Sequence, residues 1–290
     1  GKLENVALDG DLAIDGPRIL SDNMRIKSDR IDAKLILLAD MSTGLYTGAV
    51  DGRLDDYRLE SVGIFNVDTD MNLKAKADGY ALEGMVRARS TRLLNDSVKE
   101  YLGGNFVASS RVSYGSDGLA RFSNLRLEAP DLRVVGGTGT YSTQTGRIVL
   151  NADGTSRRYG RIGVRVAGNM ADPNAHITAE KPDFGIGLAN VDAKINGVRG
   201  GYNLNLTSDS DYGPVRADVN LEMGKLMAIQ INSANLSGVN FAGRIVQAPS
   251  GPFSGQLQAD GNGLGGIVRL APQGQYQEVL FNLRAKDTVF

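Results

Sequence analysis

The sequence contains no cysteine and no tryptophan, and it has one histidine, His176. The absence of cysteine excludes disulfide bonds, thiol catalysis and thiolate metal sites. One histidine also excludes metal sites built from several imidazoles, and it leaves any serine triad dependent on His176. This residue lies on the polar side of Ala175, Ile177 and Ala179 in a strand-like segment. We therefore expect no enzymatic activity, no metal and no cofactor.

Aromatic residues are scarce, and charge is balanced. Aromatics make up 6% and hydrophobic residues 41% of the 290 residues. This apolar content is low for a large compact core. The 32 basic and 33 acidic residues give a net charge of -1, and they occur singly rather than in blocks. A nucleic-acid-binding protein needs a concentrated basic surface, so we expect no nucleic-acid partner. The longest apolar run, Leu35 to Ala39, is far shorter than the roughly 20 residues of a membrane-spanning helix.

Alternation of apolar and polar residues is the dominant pattern. From Phe65 to Ala77 every second residue is apolar or small, and Asn, Asp and Lys lie between them. The same alternation recurs from Val191 to Ile195, from Tyr202 to Leu206 and from Val215 to Met223. Successive side chains of a strand point to opposite faces, so each segment has one apolar and one polar face.

Strand-like segments follow one another at intervals of roughly ten residues, separated by turn signals. We predict separate strands for Ala49 to Leu54, for Tyr57 to Ile64 and for the segment that starts at Phe65. Turns are predicted at Asp9-Gly10, Asp51-Gly52, Asp78-Gly79, Asp117-Gly118, Asp153-Gly154 and Asp260-Gly261. The expected fold is an all-β, elongated, curled and mostly antiparallel sheet with an open groove. It forms one continuous domain over residues 1–290.

One segment departs from the strand pattern. Leu94, Val98, Tyr101 and Leu102 have helical spacing, and Gly103 is a suitable stop signal. We predict a helix over residues 91–102. This helix either plugs or caps the apolar face of the sheet, or it is a crossover packed for stability.

Residues 261–266 match the glycine pattern of dinucleotide-binding sites. That pattern requires a helix after the glycines, whereas Ile267 to Pro272 is strand-like and ends at a proline. We interpret the match as coincidence. Asp260 is the only carboxylate in this stretch, so a calcium loop is not expected either.

Several short sequence segments resemble the TamB family, which belongs to the AsmA-like group of Gram-negative envelope proteins. They are residues 129–134 (APDLRV), 190–195 (NVDAKI), 212–214 (YGP) and especially 234–243 (ANLSGVNFAG). The resemblance implies an inner-membrane-anchored protein that crosses the periplasm as a curled sheet with an apolar groove. It also implies a role in phospholipid movement and outer-membrane biogenesis, with phospholipids as partners. Because Gly1 stands where a Met or a signal sequence is expected and the sequence stops at residues 288–290 in the middle of a strand pattern, we expect an internal fragment. An outer-membrane barrel protein is then an expected partner through regions outside it.

The residue pattern supports a lipid groove independently of that resemblance. A sheet with one apolar face must cover it with a second sheet, by self-association or by curling around a ligand. Small residues on the same face permit bending and leave space for acyl chains; we place Ala75, Ala77, Gly84, Ala88, Gly185, Gly187, Gly243 and Gly255 there. The predicted groove-lining residues are Phe65, Val67, Met71, Leu73, Leu204, Leu206, Val215, Val219, Leu221 and Phe241. An ordinary dry core would use the same residues.

Two other interpretations remain open. One is a structural or adhesive β-solenoid, such as a parallel β-helix, or a scaffold for outer-membrane protein assembly without lipid cargo. The absence of a fixed repeat period counts against the solenoid. The other is a carbohydrate-active enzyme on a β-helix, which would need clustered charges on one face of adjacent strands.

Overall fold

A computed structural model describes residues 6–60, 62–76, 79–169, 171–182, 187–224, 226–247, 252–274 and 276–285. Strands occupy most of these residues, and the described part of the chain contains one helix. The predicted all-β, antiparallel fold is therefore confirmed. Internal contacts divide the chain into unit 1, Gly1–Arg157, and unit 2, Arg158–Phe290. The expectation of one continuous domain stays a prediction.

Unit 1 contains eleven strands and the helix. Its elements are β1 (Ala7–Asp9), β2 (Ala13–Asp15), β3 (Arg18–Lys27), β4 (Ile31–Asp40), β5 (Leu45–Leu59), β6 (Gly63–Lys76), β7 (Gly79–Leu93), α1 (Asp96–Leu102), β8 (Val107–Gly115), β9 (Leu119–Glu128), β10 (Leu132–Ser142) and β11 (Arg147–Ser156). From β3 to β11 each strand pairs with the next in antiparallel orientation. The short strands β1 and β2 both pair with β3, at its opposite ends.

Unit 2 repeats this arrangement with ten strands. They are β12 (Gly160–Asn169), β13 (Asp172–Ala179), β14 (Ala189–Val198), β15 (Gly201–Asp209), β16 (Val215–Met223), β17 (Met227–Leu236), β18 (Val239–Gln247), β19 (Phe253–Gly261), β20 (Leu264–Gln273) and β21 (Tyr276–Ala285). Each strand pairs with the next, and every pairing is antiparallel. A parallel β-helix is therefore wrong for the described strands.

The predicted strand from Tyr57 to Ile64 is wrong. β5 continues without interruption to Leu59, and Glu60 and Val62 lie in turns before β6. Asp56 has a φ of 52°, and the pairing of β5 with β6 shifts between Leu54 and Tyr57. This β-bulge accommodates an extra residue inside β5. Polar residues that interrupt the alternation of apolar and polar side chains therefore do not end the strand.

Two of the predicted Asp-Gly turns are also wrong, because Asp51-Gly52 lies inside β5 and Asp153-Gly154 inside β11. A β-carbon on Gly52 would lie 3.0 Å from that of Ala33, and one on Gly154 would lie 2.7 Å from the Arg133 carbonyl oxygen. Glycine there admits a close neighbouring strand. Asp117-Gly118 does form a turn, with Gly118 at a φ of 68°. Asp9 and Gly261 lie at strand ends, and Asp78 lies outside the described residues.

The helix exists but begins later than predicted. Residues 91–93 belong to β7, and α1 starts at Asp96 because Asn95 caps it: the Asn95 side chain accepts a hydrogen bond from the Val98 amide at 3.1 Å. Gly103 ends the helix with a φ of 72°, as predicted. The Leu102 carbonyl accepts from the Asp131 amide at 2.9 Å, which ties the helix to the loop between β9 and β10.

Candidate functional site

Apolar residues of unit 1 are concentrated on one face of its sheet, although Ile36, Leu38, Met85 and Val149 lie exposed on the other. In β6, Phe65 and Met71 are buried and Val67 and Leu73 are half-buried, whereas Asp68, Asp70, Asn72 and Lys74 on the other face are exposed. Directly opposed residues of antiparallel strands share a face. The row Leu35, Val50, Met71, Gly84, Val112, Phe122 and Gly139 therefore runs across seven strands on the apolar side.

Unit 2 has an equivalent face that continues through all ten strands. One row of directly opposed residues runs from β12 to β21: Val166, Ala175, Ile195, Leu204, Val219, Ile231, Gly243, Leu257, Val268 and Phe281. Every member is apolar or glycine. We call these two surfaces the apolar faces of unit 1 and unit 2.

All ten predicted lining residues lie on these two faces. Four are in β6 of unit 1 and six are in unit 2, where Leu204 opposes Val219 and Tyr202 opposes Leu221. Val215 opposes Ser208 and Leu236 at one end of β16, and Phe241 lies between Ala234 and Ala259. Phe65, Met71 and Val219 are buried; the other seven are half-buried.

The sequence prediction missed other members of the same faces. They include Val50, Val112 and Phe122 in unit 1, and Ile195, Ile229, Ile231, Ile245, Leu257 and Val268 in unit 2. Alternation within their own strands is the signal that could have found them, although bulges interrupt it in β9 and β17.

Glycines on the apolar faces serve mainly to bring strands together. A β-carbon on Gly84 would clash with the Asp70 carbonyl oxygen of the neighbouring strand, and one on Gly243 would clash with that of Gln256. Gly243 and Gly255 have φ values of 151° and 144°, which other residues rarely adopt. Ala77 and Gly185 lie outside the described residues.

These faces are only partly covered, because seven of the ten predicted lining residues are half-buried. The accessible surface is 18377 Å² for a chain of 30.9 kDa, whereas two compact domains of half that mass would together expose about 14,000 Å². Among the described residues, 13 hydrophobic residues are buried, and 26 large ones are exposed. The chain therefore does not bury its apolar residues as a compact protein of this size would.

The helix lies at one end of the unit 1 sheet. Leu94 donates a backbone hydrogen bond to Val62 at 2.9 Å, and Leu102 is 5% exposed. The Phe65 and Phe106 rings lie 5.8 Å apart, one in β6 and one just before β8. This end of the unit 1 sheet therefore brings together the buried residues Phe65, Leu93 and Leu102.

Ion pairs cover parts of the polar faces. Arg25 donates two hydrogen bonds to Asp32, which lower the pKa of this carboxyl. The Arg121 guanidinium donates one hydrogen bond to Asp117, which lowers the pKa of that carboxyl. Arg244 donates two hydrogen bonds of 2.6 and 2.8 Å to Glu222. The partners are roughly half-exposed, so each pair contributes little to stability.

His176 lies on the polar face of unit 2, as the alternation predicts. Its Nε2 atom is 2.8 Å from Asp192 Oδ2, and both side chains are 42% exposed. Arg165 and Lys194 are its directly opposed neighbours. Within the part of the chain that the structure describes, no three His, Asp or Glu side chains are grouped as a metal site.

The glycine-rich segment behaves as a hairpin. β19 ends at Gly261, and β20 begins at Leu264. A strand, and not the helix needed to hold a pyrophosphate, follows the glycines. In the described ranges, no helix has the length and apolar character needed to cross a membrane.

Comparison of the chain with protein-family models, curated proteins and solved structures finds no match.

Proposed function

We propose that the apolar faces bind phospholipid acyl chains and that the protein is a segment of a periplasmic lipid-transfer bridge between the inner and outer membranes. The observation that carries this proposal is the unbroken apolar row through ten strands of unit 2, most of it half-buried. A surface of this extent and polarity needs an apolar partner in water.

The dimensions of unit 2 suit acyl chains. Ten strands spaced by about 4.8 Å span roughly 43 Å, which exceeds the roughly 15 Å of one leaflet of a bilayer core. Each buried methylene would contribute about 0.8 kcal/mol. Because the described residues of this face include no charged side chain to hold a head group, binding would depend on the acyl chains and have broad head-group specificity.

The resemblance to TamB-like proteins supports the location and role in this proposal. In that setting the segment would belong to an inner-membrane-anchored protein linked to outer-membrane biogenesis. An outer-membrane barrel protein would be a partner of other regions. The proposed role is transport rather than catalysis.

Native mass spectrometry of the purified chain, with extraction and identification of bound lipid, tests the proposal. We expect several phospholipids per chain, with mixed head groups. A lipid-free chain that also fails to take up phospholipid from detergent micelles would contradict it. The remaining interpretation would then be a structural scaffold without lipid cargo.

A further inference from the structure

Arginine is concentrated on the polar face of four consecutive strands of unit 1. Six arginines of β7 to β10 lie there, and all are exposed: Arg87, Arg89, Arg111, Arg121, Arg126 and Arg133. We call them the arginine patch. The expectation of evenly scattered charge is wrong for this surface.

Strand register brings the arginines together. Ser109 in β8 directly opposes Arg87 on one side and Arg126 on the other. The Cα atoms of these two arginines are therefore separated by two strand spacings, about 10 Å. Arg111 lies two residues from Ser109 on the same face of β8. The three arginines therefore flank one serine, and their side chains are long enough to reach a common anion.

Few acidic groups neutralise the patch. Glu83 and Glu128 lie on the same strands and face, and Asp117 is paired with Arg121 at 2.8 Å. From β6, Asp68 directly opposes Arg87 on one side and Arg53 on the other, so its charge is shared between two arginines. In the described residues, Arg87, Arg111 and Arg126 have no ion-pair partner.

The neighbouring part of the same face has a different charge balance. On β4 and β6, the charges of Asp32, Asp68 and Asp70 are balanced by those of Lys34, Lys74 and Lys76. A depression of about 530 Å³ lies at the boundary, where Arg111, Arg121 and Ser123 face Asp70 and Glu83. An excess of positive charge is therefore a local property of β7 to β10.

We propose that the arginine patch docks the protein on a membrane surface that carries anionic phosphate head groups. The patch repeats one cationic group across several strands, and such a membrane repeats one anion across its surface. Each of the six arginines would be stabilised electrostatically near that surface. The patch lies on the face opposite the apolar one, so this contact is separate from the proposed binding of acyl chains.

The composition of the patch favours a membrane over a single-stranded nucleic acid. In the described part of β7 to β10, the side chains between the arginines are mainly Ser109, Ser113, Ser123, Thr138 and Thr140. The tyrosines and phenylalanine of these strands lie on the apolar face. Single-stranded nucleic acids are usually held by bases stacked on aromatic side chains.

Flotation of the chain with vesicles tests this proposal. The vesicles are phosphatidylcholine alone or an equimolar mixture with phosphatidylglycerol, at low and high salt. We expect binding to the mixed vesicles that high salt abolishes. The variant R87Q/R111Q/R126Q should bind them on the order of a hundredfold more weakly and should retain its lipid content in native mass spectrometry.

The matched control is K34Q/K74Q/K76Q, which removes three exposed cations from the same face outside the patch. It should retain binding, and an equal loss would overturn the proposal because net charge alone would then explain it. Equal binding to both kinds of vesicle would also overturn it. So would preferential binding of duplex DNA over mixed vesicles when that preference depends on the patch. Circular dichroism confirms that both variants keep the sheet.

Discussion

Adjacent residues of one strand offer the sharpest comparison of the two faces. Leu204 and Asn205 are neighbours in β15; Leu204 is half-buried between Ile195 and Val219, and Asn205 is exposed. Both can be changed to Asp, which adds the same charge on opposite sides of one sheet. Any difference between the two variants therefore reports on the face and not on net charge.

We expect Leu204→Asp to reduce lipid binding and Asn205→Asp to leave it unchanged. A carboxylate on the apolar face is costly to desolvate, and losing about three methylene contacts would weaken occupancy there roughly fiftyfold. The number of phospholipids retained per chain in native mass spectrometry measures this effect. Equal lipid content in both variants, with the sheet intact, would argue against lipid on the apolar face.

Asp40 predicts a pH dependence at the turn between β4 and β5. The Ser42 hydroxyl donates to Asp40 Oδ1 at 2.5 Å and the Ser42 amide at 2.9 Å, and these bonds lower the pKa of the carboxyl. Because the folded-state pKa is the lower one, the stabilisation is complete above the ordinary value of about 3.9. It is lost as pH falls through the folded-state pKa.

Carbon-detected NMR titration of Asp40 measures this shift. Ser42→Ala removes its largest cause, so the pKa of Asp40 should rise towards its ordinary value. The hydrogen bond from the backbone amide of residue 42 remains in that variant, so the pKa of Asp40 should stay partly lowered. An Asp40 pKa that Ser42→Ala leaves unchanged would show that the hydroxyl is not the cause.

At the scale of single residues, alternation was sufficient to predict which face each lining residue occupies. Side chains in a strand have a period of two, so Met71 and Leu204 need no information from other strands. Gly52 could not be predicted in this way. A glycine in a turn and a glycine that admits a close neighbour have the same local sequence, and only the opposed Ala33 distinguishes them.

Among the elements, α1 depends on its caps because it is short. It has seven residues, which is too short to be stable in isolation. The predicted start at residue 91 failed because apolar spacing alone does not distinguish the last residues of β7 from a helical turn. The cap at Asn95 decides the boundary, and Asp96 in the first turn reinforces it.

We expect Asn95→Ala to lower the free energy of unfolding by about 1 kcal/mol, because the Val98 amide loses its partner. Urea denaturation followed by circular dichroism measures the change. Asn95→Ser retains a capping oxygen and should change stability by less than half as much. If the two variants were equally destabilised, the cap would not be the reason.

The arginine patch shows what sequence patterns of single elements miss. Each of β7 and β9 contributes two of its arginines, which is unremarkable in one strand. Their proximity depends on the register of three strand pairs and on the bulge between β8 and β9. Register across several strands was not accessible from alternation alone, so the patch was missed.

Across the whole chain, stability should vary from strand to strand within each unit. β6 and β7 are 14 and 15 residues long, pair on both sides and contain buried Phe65, Met71 and Ala81. β1 and β2 have three exposed residues each, and nine of the ten residues of β21 are exposed. Strands that differ in this way can unfold locally, each with its own free energy of opening.

Amide hydrogen exchange followed by mass spectrometry tests this expectation. We expect β6 and β7 to exchange last in unit 1 and β1 and β2 to exchange first. In unit 2, β21 should exchange before β17, which pairs on both sides. Uniform protection across all strands of a unit would contradict the expectation and indicate that the unit opens only as a whole.

Strictly sequential antiparallel pairing also determines how such a chain can change its length during evolution. Loss or gain of a single strand would reverse the direction of every later strand, whereas a complete hairpin preserves both direction and facing. One hairpin adds about 10 Å to a sheet in the pairing direction. Relatives of this protein should therefore differ by even numbers of strands, and duplication of hairpins would adapt the reach of the molecule without redesigning its surfaces.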